Sequence, residues 1–351
     1  MEDNRNLTED LSESLKTSMD SIAKREGFIN YDIVSKNISP NGGGYMGILY
    51  EVDIKGTTTK GDKEVNIFVK NIVENEQMKI YSVPSLFSRE AFAYKELSGI
   101  LTELQDEANI PSNERFKMAK SYEECNPKSI ILEHMAKKGF RVYERMETMP
   151  LEYAKLCVQQ LAKFHALSMV IKEKQSTYFT EKIILLKVDD YPKYMNDTSG
   201  VCTLCHGDYK HNNIMAKEVV MVTIDFQILH YGCQVLDFLY LIFNGTDQEF
   251  RKNHLANLKE LYYESIDDFL KYFGMDIRDV FPRIEFERVY KEKLDFGLMI
   301  NVFYVPFLFA TEDDAPDVTK QSLSTLSFNV DNRFTKRFRG IVDDFIEWGY
   351  L

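Results

Sequence analysis

Several things are scarce or missing in this 351-residue chain. There is no basic surplus: the formal net charge is −12, which argues against a general binder of nucleic acid or anionic membranes, since either needs a basic face. A local basic pocket for phosphates remains open. There is no apolar run long enough to span a bilayer, because the longest, around Met299–Ala310, is interrupted by Asn301 and Pro306. The opening residues MEDNRNLTEDLSESLK are acidic and polar, unlike a signal peptide. Five cysteines, an odd number without regular spacing, suit a reducing compartment better than a disulfide framework. We see no internal repeat, no low-complexity segment and no Pro/Ser-rich linker. These absences lead us to expect a cytoplasmic protein that binds neither nucleic acid nor membrane. What is present is ordinary for a globular chain, with 44% hydrophobic and 28% charged residues. The length leaves room for one large or two moderate domains.

In the N-terminal half, Leu11, Leu15, Met19, Ile22 and Ala23 recur at helical spacing, so Thr8–Glu26 reads as an amphipathic helix. Tyr31–Ser39 reads as a strand. It enters a segment in which Gly42, Gly44 and Gly47 match GxGxxG. That match alone fits a dinucleotide fold, a kinase phosphate loop or a plain hairpin turn. The next residues discriminate: Ile48, Tyr50, Val52 and Ile54 alternate with Leu49, Glu51, Asp53 and Lys55, which is strand and not helix. Strand, glycine loop, strand is the kinase arrangement, whereas a dinucleotide site needs a helix there. A polar turn over Thr57–Lys63 leads to a second alternating strand ending at Lys70, placed to reach ATP phosphates. Ser88-Arg89-Glu90 then opens a helix, and Glu90 is the candidate counter-charge for Lys70, because a buried ammonium needs one. Pro111–Tyr122 reads as a loop and a strand. Ser129–Met135 is an apolar strand turning polar, where the hinge backbone at Glu133 and Met135 would meet adenine. The lobe boundary is placed there, giving a nucleotide-binding lobe over 1–135 and a catalytic and substrate-binding lobe over 136–351.

The second half begins with a strong helix over Leu151–Ile171, in which His165 reads as a packed core residue. Thr177–Gly200 reads as irregular. The stretch that organises the chain follows. Cys202-Thr203-Leu204-Cys205-His206 is a literal CxxCH, but its histidine belongs to a longer motif, and there is no second cysteine pair for zinc. That motif is HGDxxxxN: His206, Gly207, Asp208 and, five residues later, Asn213. Ile214–Lys217 and Val220–Ile224 read as the arms of a hairpin that returns the chain to Asp225-Phe226-Gln227. Polar groups at this spacing look like the catalytic loop and metal segment of a kinase-type phosphotransferase. Asp208 would orient the attacking hydroxyl, while Asn213 and Asp225 offer hard oxygens to Mg²⁺. Lys210 would add positive charge near the transferring phosphoryl group. His206 reads as a loop brace, and Asp237 as both a helix cap and a brace for the catalytic loop. Beyond Asp237, the segments Glu249–Phe273, Ile284–Ala310, Ser322–Phe328 and Thr335–Trp348 read as mainly helical.

LCHGDYKHNNIM, TIDFQILHYGCQVLDFLYLIF and ILEHMAKKGFRVYERM with LEYAKLCVQQLAKFHALS resemble the ecdysteroid kinase-like family, small-molecule kinases related to choline kinases and aminoglycoside phosphotransferases. The similarity runs from about Tyr31 to Ala310. It implies an α+β, two-lobed protein-kinase-like fold, with an antiparallel N-lobe sheet plus a helix and a mainly helical C-lobe. It also implies ATP- and Mg²⁺-dependent phosphorylation of a hydroxyl on a small organic molecule, which in named members is a steroid. Carried over by position, Asp208 matches the catalytic aspartate, Asn213 and Asp225 the metal ligands, Lys70 the phosphate lysine and Glu90 its partner. Two departures lie near the phosphates. Members often carry an aromatic residue where this chain has Lys210, and the glycine loop is richer here.

Other readings are a choline- or aminoglycoside-type kinase and a non-catalytic nucleotide- or ligand-binding pseudokinase. The pseudokinase reading is weakened because every nucleotide, metal and base position is filled. A protein kinase is disfavoured: no APE-like segment follows Asp225, and the short stretch to the Asp237 helix leaves little room for an activation loop. The acceptor and the oligomeric state are left open by the sequence.

Overall fold

The computed structural model describes residues 11–38, 47–73, 82–188, 192–311, 327 and 329–351. The expected glycines Gly42 and Gly44, and nearly all of the expected helix at Ser322–Phe328, lie outside the described residues. The chain divides into two units, one within Met1–Leu97 and Ala119–Phe140, the other within Ser98–Met118, Arg141–Thr311 and Phe328–Leu351.

The first unit is built on one antiparallel sheet of β1 (Phe28–Asn37), β2 (Gly47–Thr58), β3 (Gly61–Ile72) and β4 (Ser129–Glu133), in that order. The alternation seen in the sequence sets which face is buried: Val52, Ile54, Ile67, Val69 and Ile131 form a core with Leu15, Met19 and Ile22 of helix α1 (Glu13–Arg25). The start of α1 differs from the expected Thr8. The Ser12 side chain accepts from the Leu15 amide and fixes the first turn, an interaction that stabilises a helix by about 1 kcal/mol. Gly47 is required where β2 begins, since a Cβ there would lie 2.6 Å from the Asn71 carbonyl oxygen and 3.0 Å from the Phe87 ring. Helix α2 (Val83–Phe92) starts five residues before the expected Ser88, because Pro84 suits a first helical turn. A π-turn over Ala93–Leu97 follows, and α3 (Ser98–Glu107) continues within the second unit. The strand expected within Pro111–Tyr122 is reduced to isolated bridges at Met118 and Ser121.

The second unit is mainly helical. Its axis is α4 (Leu151–Lys174), whose second half is buried on nearly every side. The packed stripe includes Cys157, Leu161, His165 and Ser168. Two small sheets sit beside it: β5 (Arg141–Val142) with β7 (Ile214–Lys217) and β8 (Val220–Thr223), and β6 (Thr203–Cys205) with β9 (His230–Gly232). Then come α5 (Val235–Gly245), α6 (Gln248–Lys271), α7 (Arg283–Lys293), α8 (Asp295–Phe303), α9 (Val305–Leu308) and α10 (Arg333–Glu347). The stretch expected as helical over Ile284–Ala310 is thus three helices. Thr177–Gly200 is less irregular than expected, with a π-turn at Phe179–Ile183 and one turn of helix at Pro192–Met195. All five cysteines are buried and free. No helix among the described residues is long and apolar enough to cross a membrane. Among the described residues the protein is α+β, with an antiparallel sheet and a helix in one unit and a mainly helical second unit, as the resemblance implies.

Candidate active site

The two units each carry part of the expected machinery. In the first, β3 delivers Lys70 and α2 delivers Glu90, and the two side chains meet at 2.8 Å with almost no exposure to solvent. The Phe87 ring lies 5.6 Å from the Lys70 ammonium. At the end of β4, the Glu133 amide donates to the Lys120 carbonyl, and its carboxylate pairs with Lys138. His134 follows, its Nε2–H directed at Glu51 Oε1, and caps the turn that begins at Met135.

In the second unit, β6 runs directly into His206-Gly207-Asp208. Gly207 takes φ +82°, and a Cβ on it would lie 2.4 Å from the Ile228 carbonyl oxygen, so glycine is required on two counts. His206 is fully buried. Its Nε2–H donates to the Ile224 carbonyl at 2.9 Å, and its Nδ1 accepts from the Asp208 amide at 3.3 Å, so one imidazole ties the loop to the residue before Asp225. Asp237, in the first turn of α5, accepts from the amides of His206 at 2.6 Å and Gly207 at 2.8 Å. Burial disfavours its charge, but the surrounding donors and histidines prevail and hold its pKa below the ordinary value. His165 on α4 donates to the same carboxylate at 3.2 Å and accepts from the Tyr262 hydroxyl at 2.7 Å. Burial lowers the His165 pKa, so the arrangement is a carboxylate facing a neutral imidazole.

The side chain of Asp208 is buried. Oδ2 receives Lys210 Nζ at 2.8 Å and Asn213 Nδ2 at 2.9 Å, whereas Oδ1 is buried without a hydrogen-bond partner. An unpaired buried carboxylate oxygen is costly, and in a site it marks where a ligand proton belongs. With its nitrogen held by Asp208, Asn213 has its amide oxygen left to serve a cation. The hairpin of β7 and β8 pairs Ile214 with Thr223, and the Ile224 amide donates to the Asn213 carbonyl, which brings Asn213 and Asp225 to one end of the hairpin. Asp225 takes a left-handed conformation (φ 67°, ψ 59°) and is partly exposed. Asparagine and aspartate oxygens are the hard donors that suit Mg²⁺, so the residues present fit that ion.

Some residues of this site were not singled out from the sequence. Tyr209, between Asp208 and Lys210, is fully buried and its hydroxyl donates to the Cys157 carbonyl of α4 at 2.9 Å. The Tyr153 hydroxyl lies 3.2 Å from the His211 carbonyl and 3.1 Å from that of Ile214. His211 is also fully buried. The only trace of these in the sequence is the alternation of Tyr209, His211 and Asn213 with more exposed neighbours. Their partners are distant backbone carbonyls, which no local pattern encodes.

No protein of curated function matches the chain significantly. Among solved structures, a choline kinase from Cryptosporidium parvum Iowa II is similar at 12% identity, covering 96% of this chain and 98% of its own, with a TM-score of 0.43. An amicoumacin kinase, solved with AMP-PNP, Ca²⁺ and Ami, is similar at 12% identity, covering 82% and 96%, with a TM-score of 0.37. A choline/ethanolamine kinase family protein from Mesorhizobium loti shares 11% identity, covering 93% and 99%, with a TM-score of 0.34. The decisive match is to the model of the ecdysteroid kinase-like family, over residues 41–191 and 182–275, together well over half of the sequence. The chain belongs to the ecdysteroid kinase-like family, a family of small-molecule kinases.

Proposed function

We propose that this protein transfers the γ-phosphoryl group of ATP to a hydroxyl of a small organic acceptor. The observation that carries the reading is the state of Asp208: one oxygen fixed by Lys210 and Asn213, the other buried without a partner, at the end of the hairpin that presents Asn213 and Asp225. Oδ1 accepts the acceptor hydroxyl and aligns its oxygen with the γ-phosphorus; the bond to the β,γ-bridging oxygen breaks, ADP leaves, and the hydroxyl proton passes to the carboxylate and then to solvent. Lys210 turns from Asp208 toward the transferring group and offsets its charge. Asn213 and Asp225 are the residues that would hold Mg²⁺, which when bound neutralises the phosphate oxygens. In the first unit, Lys70 holds the phosphates, oriented by Glu90, the backbone near Glu133 and Met135 holds adenine, and Gly47 at the start of β2 lies on the phosphate side. The N-terminal residues to about 135 thus serve the nucleotide, and the remainder serves catalysis and the acceptor. His206 and Asp237 brace the loop.

The acceptor class we favour is a hydroxylated steroid, ecdysteroid-like, or a xenobiotic metabolite, in keeping with the family. Free, buried cysteines support a cytoplasmic setting. The test is incubation with Mg²⁺-ATP and a fractionated extract of hydroxylated small molecules, steroids included, followed by mass spectrometry for phosphorylated products. A product that disappears with Asp208→Ala supports the reading and names the acceptor. A protein that binds no nucleotide would sink it.

A further inference from the structure

We infer that His211 is a positioning residue that sets the metal-binding turn through Asn213, an inference that rests on the function proposed above. His211 opens the single 3₁₀ turn His211–Asn213, which links Asp208 to β7. Its imidazole is completely buried. Nε2 faces two carbonyls, that of Glu144 at 3.2 Å and that of Arg145 at 3.1 Å, so Nε2 carries the proton and donates to both. Nδ1 is buried without a partner, so a second proton there would find no acceptor, and the ring is neutral.

The two carbonyls that receive this proton are anchored by separate contacts. The Arg145 guanidinium donates to the carbonyls of Leu308 and Ala310 at the end of α9. A few residues on, the Met149 amide donates to the Gly245 carbonyl at the end of α5, and Arg337 of α10 donates to Thr148 Oγ1 at 3.1 Å. His211 therefore fastens this short turn, which Tyr153 holds only by its backbone carbonyls, to a segment held at three places. Asn213 lies at the other end of that turn. Its amide nitrogen must meet both the carbonyl oxygen of Asp208 at 3.0 Å and Oδ2 at 2.9 Å, which fixes where its oxygen points. Loss of the His211 donor frees the turn to rotate, and the Asn213 oxygen loses its fixed direction.

The test compares wild type, His211→Phe, His211→Gln, Asn213→Ala and the double variant His211→Phe/Asn213→Ala. The readouts are the Mg²⁺ concentration that half-saturates ATP binding, measured by isothermal titration, and the thermal midpoint. His211→Phe should raise the Mg²⁺ midpoint about tenfold, the usual scale for loss of an outer partner of a metal ligand. His211→Gln, whose Nε2 reaches the same carbonyls, should bring most of it back. In the Asn213→Ala background, His211→Phe should add nothing further, since the residue it acts through is gone. A thermal midpoint that falls while the Mg²⁺ midpoint stays put would overturn the inference, as would additive effects in the double variant. Should His211→Phe not fold, the same comparison with His211→Asn, whose shorter amide falls short of the carbonyls, decides. Wild-type ATP binding that ignores Mg²⁺ would instead remove the proposed function, and this inference with it.

Discussion

At the scale of single residues, the Lys70–Glu90 pair shows how a buried charge is tolerated. Both side chains are nearly free of solvent, and each makes the other's ionised form possible. Lys70→Met leaves the Glu90 carboxylate buried without its counter-charge, and breaking a buried pair from one side costs about 3–5 kcal/mol. Replacing both, as Lys70→Met/Glu90→Leu, removes the stranded charge. Urea unfolding should show the double variant recovering much of the stability lost by the single one, while neither binds ATP as wild type does. A double variant as unstable as Lys70→Met would mean that the pair's value is packing around Phe87 and not charge. This pair was legible in the sequence because a strand-end lysine and a helix glutamate each follow a local pattern. His211 and Tyr153 were not, because what they bind is the backbone of segments far along the chain.

Among elements, the His206–Asp208 loop is held from behind by α4, α5 and α6 through one chain of bonds: Tyr262 to His165, His165 to Asp237, and Asp237 to the amides of His206 and Gly207. The HGD and LDF segments announced the loop and its helix, yet the link through His165 was read only as core packing. The apolar stripe of α4 carries no sign of which buried position faces a carboxylate. Element boundaries were misread where a side chain or a proline moved the start, as Ser12 and Pro84 do. The buried link has a pH signature. The groups facing His165 are Asp237 on α5, Tyr262 on α6, His206 beyond β6, and Cys205 on β6. Its folded pKa lies below the unfolded value near 6.5, so below that pH the unfolded chain takes up a proton that the folded chain refuses. Stability therefore falls as pH drops from about 7 toward the lowered folded pKa, by at most about 1.4 kcal/mol per pH unit from this group. The depressed Asp237 pKa acts at lower pH, because its contribution is lost only as pH falls through its own folded value. Denaturant melts between pH 7 and pH 5 should show this slope in wild type and a shallower one in His165→Gln. Equal slopes would assign the effect to other groups.

For the whole molecule, the proposed division of labour makes a prediction that no single contact does. In the proposed function Lys70 and Glu90 serve the nucleotide and Asn213 and Asp225 serve its metal, so loss of either pair should show in how far Mg²⁺-ATP stabilises the folded chain. Binding to the folded chain alone stabilises it by about 2.7 kcal/mol at a ligand concentration a hundred times Kd. Mg²⁺-ATP should therefore raise the thermal midpoint of wild type, and chelating the metal with EDTA should remove most of the rise. Asp208→Ala should keep the nucleotide-dependent part of the shift and some of the metal-dependent part, because it takes Oδ2 from Asn213 but leaves the Asp208 carbonyl, Asp225 and Lys70 in place. Asp225→Ala should lose the metal-dependent part, and Lys70→Met the nucleotide-dependent part, each measured from its own ligand-free midpoint. The pattern across the three variants carries more than any one value. A shift that survives Asp225→Ala and Lys70→Met alike would place the nucleotide elsewhere. A shift lost in Asp208→Ala would make that carboxylate part of the metal site, and the acceptor would then need another base.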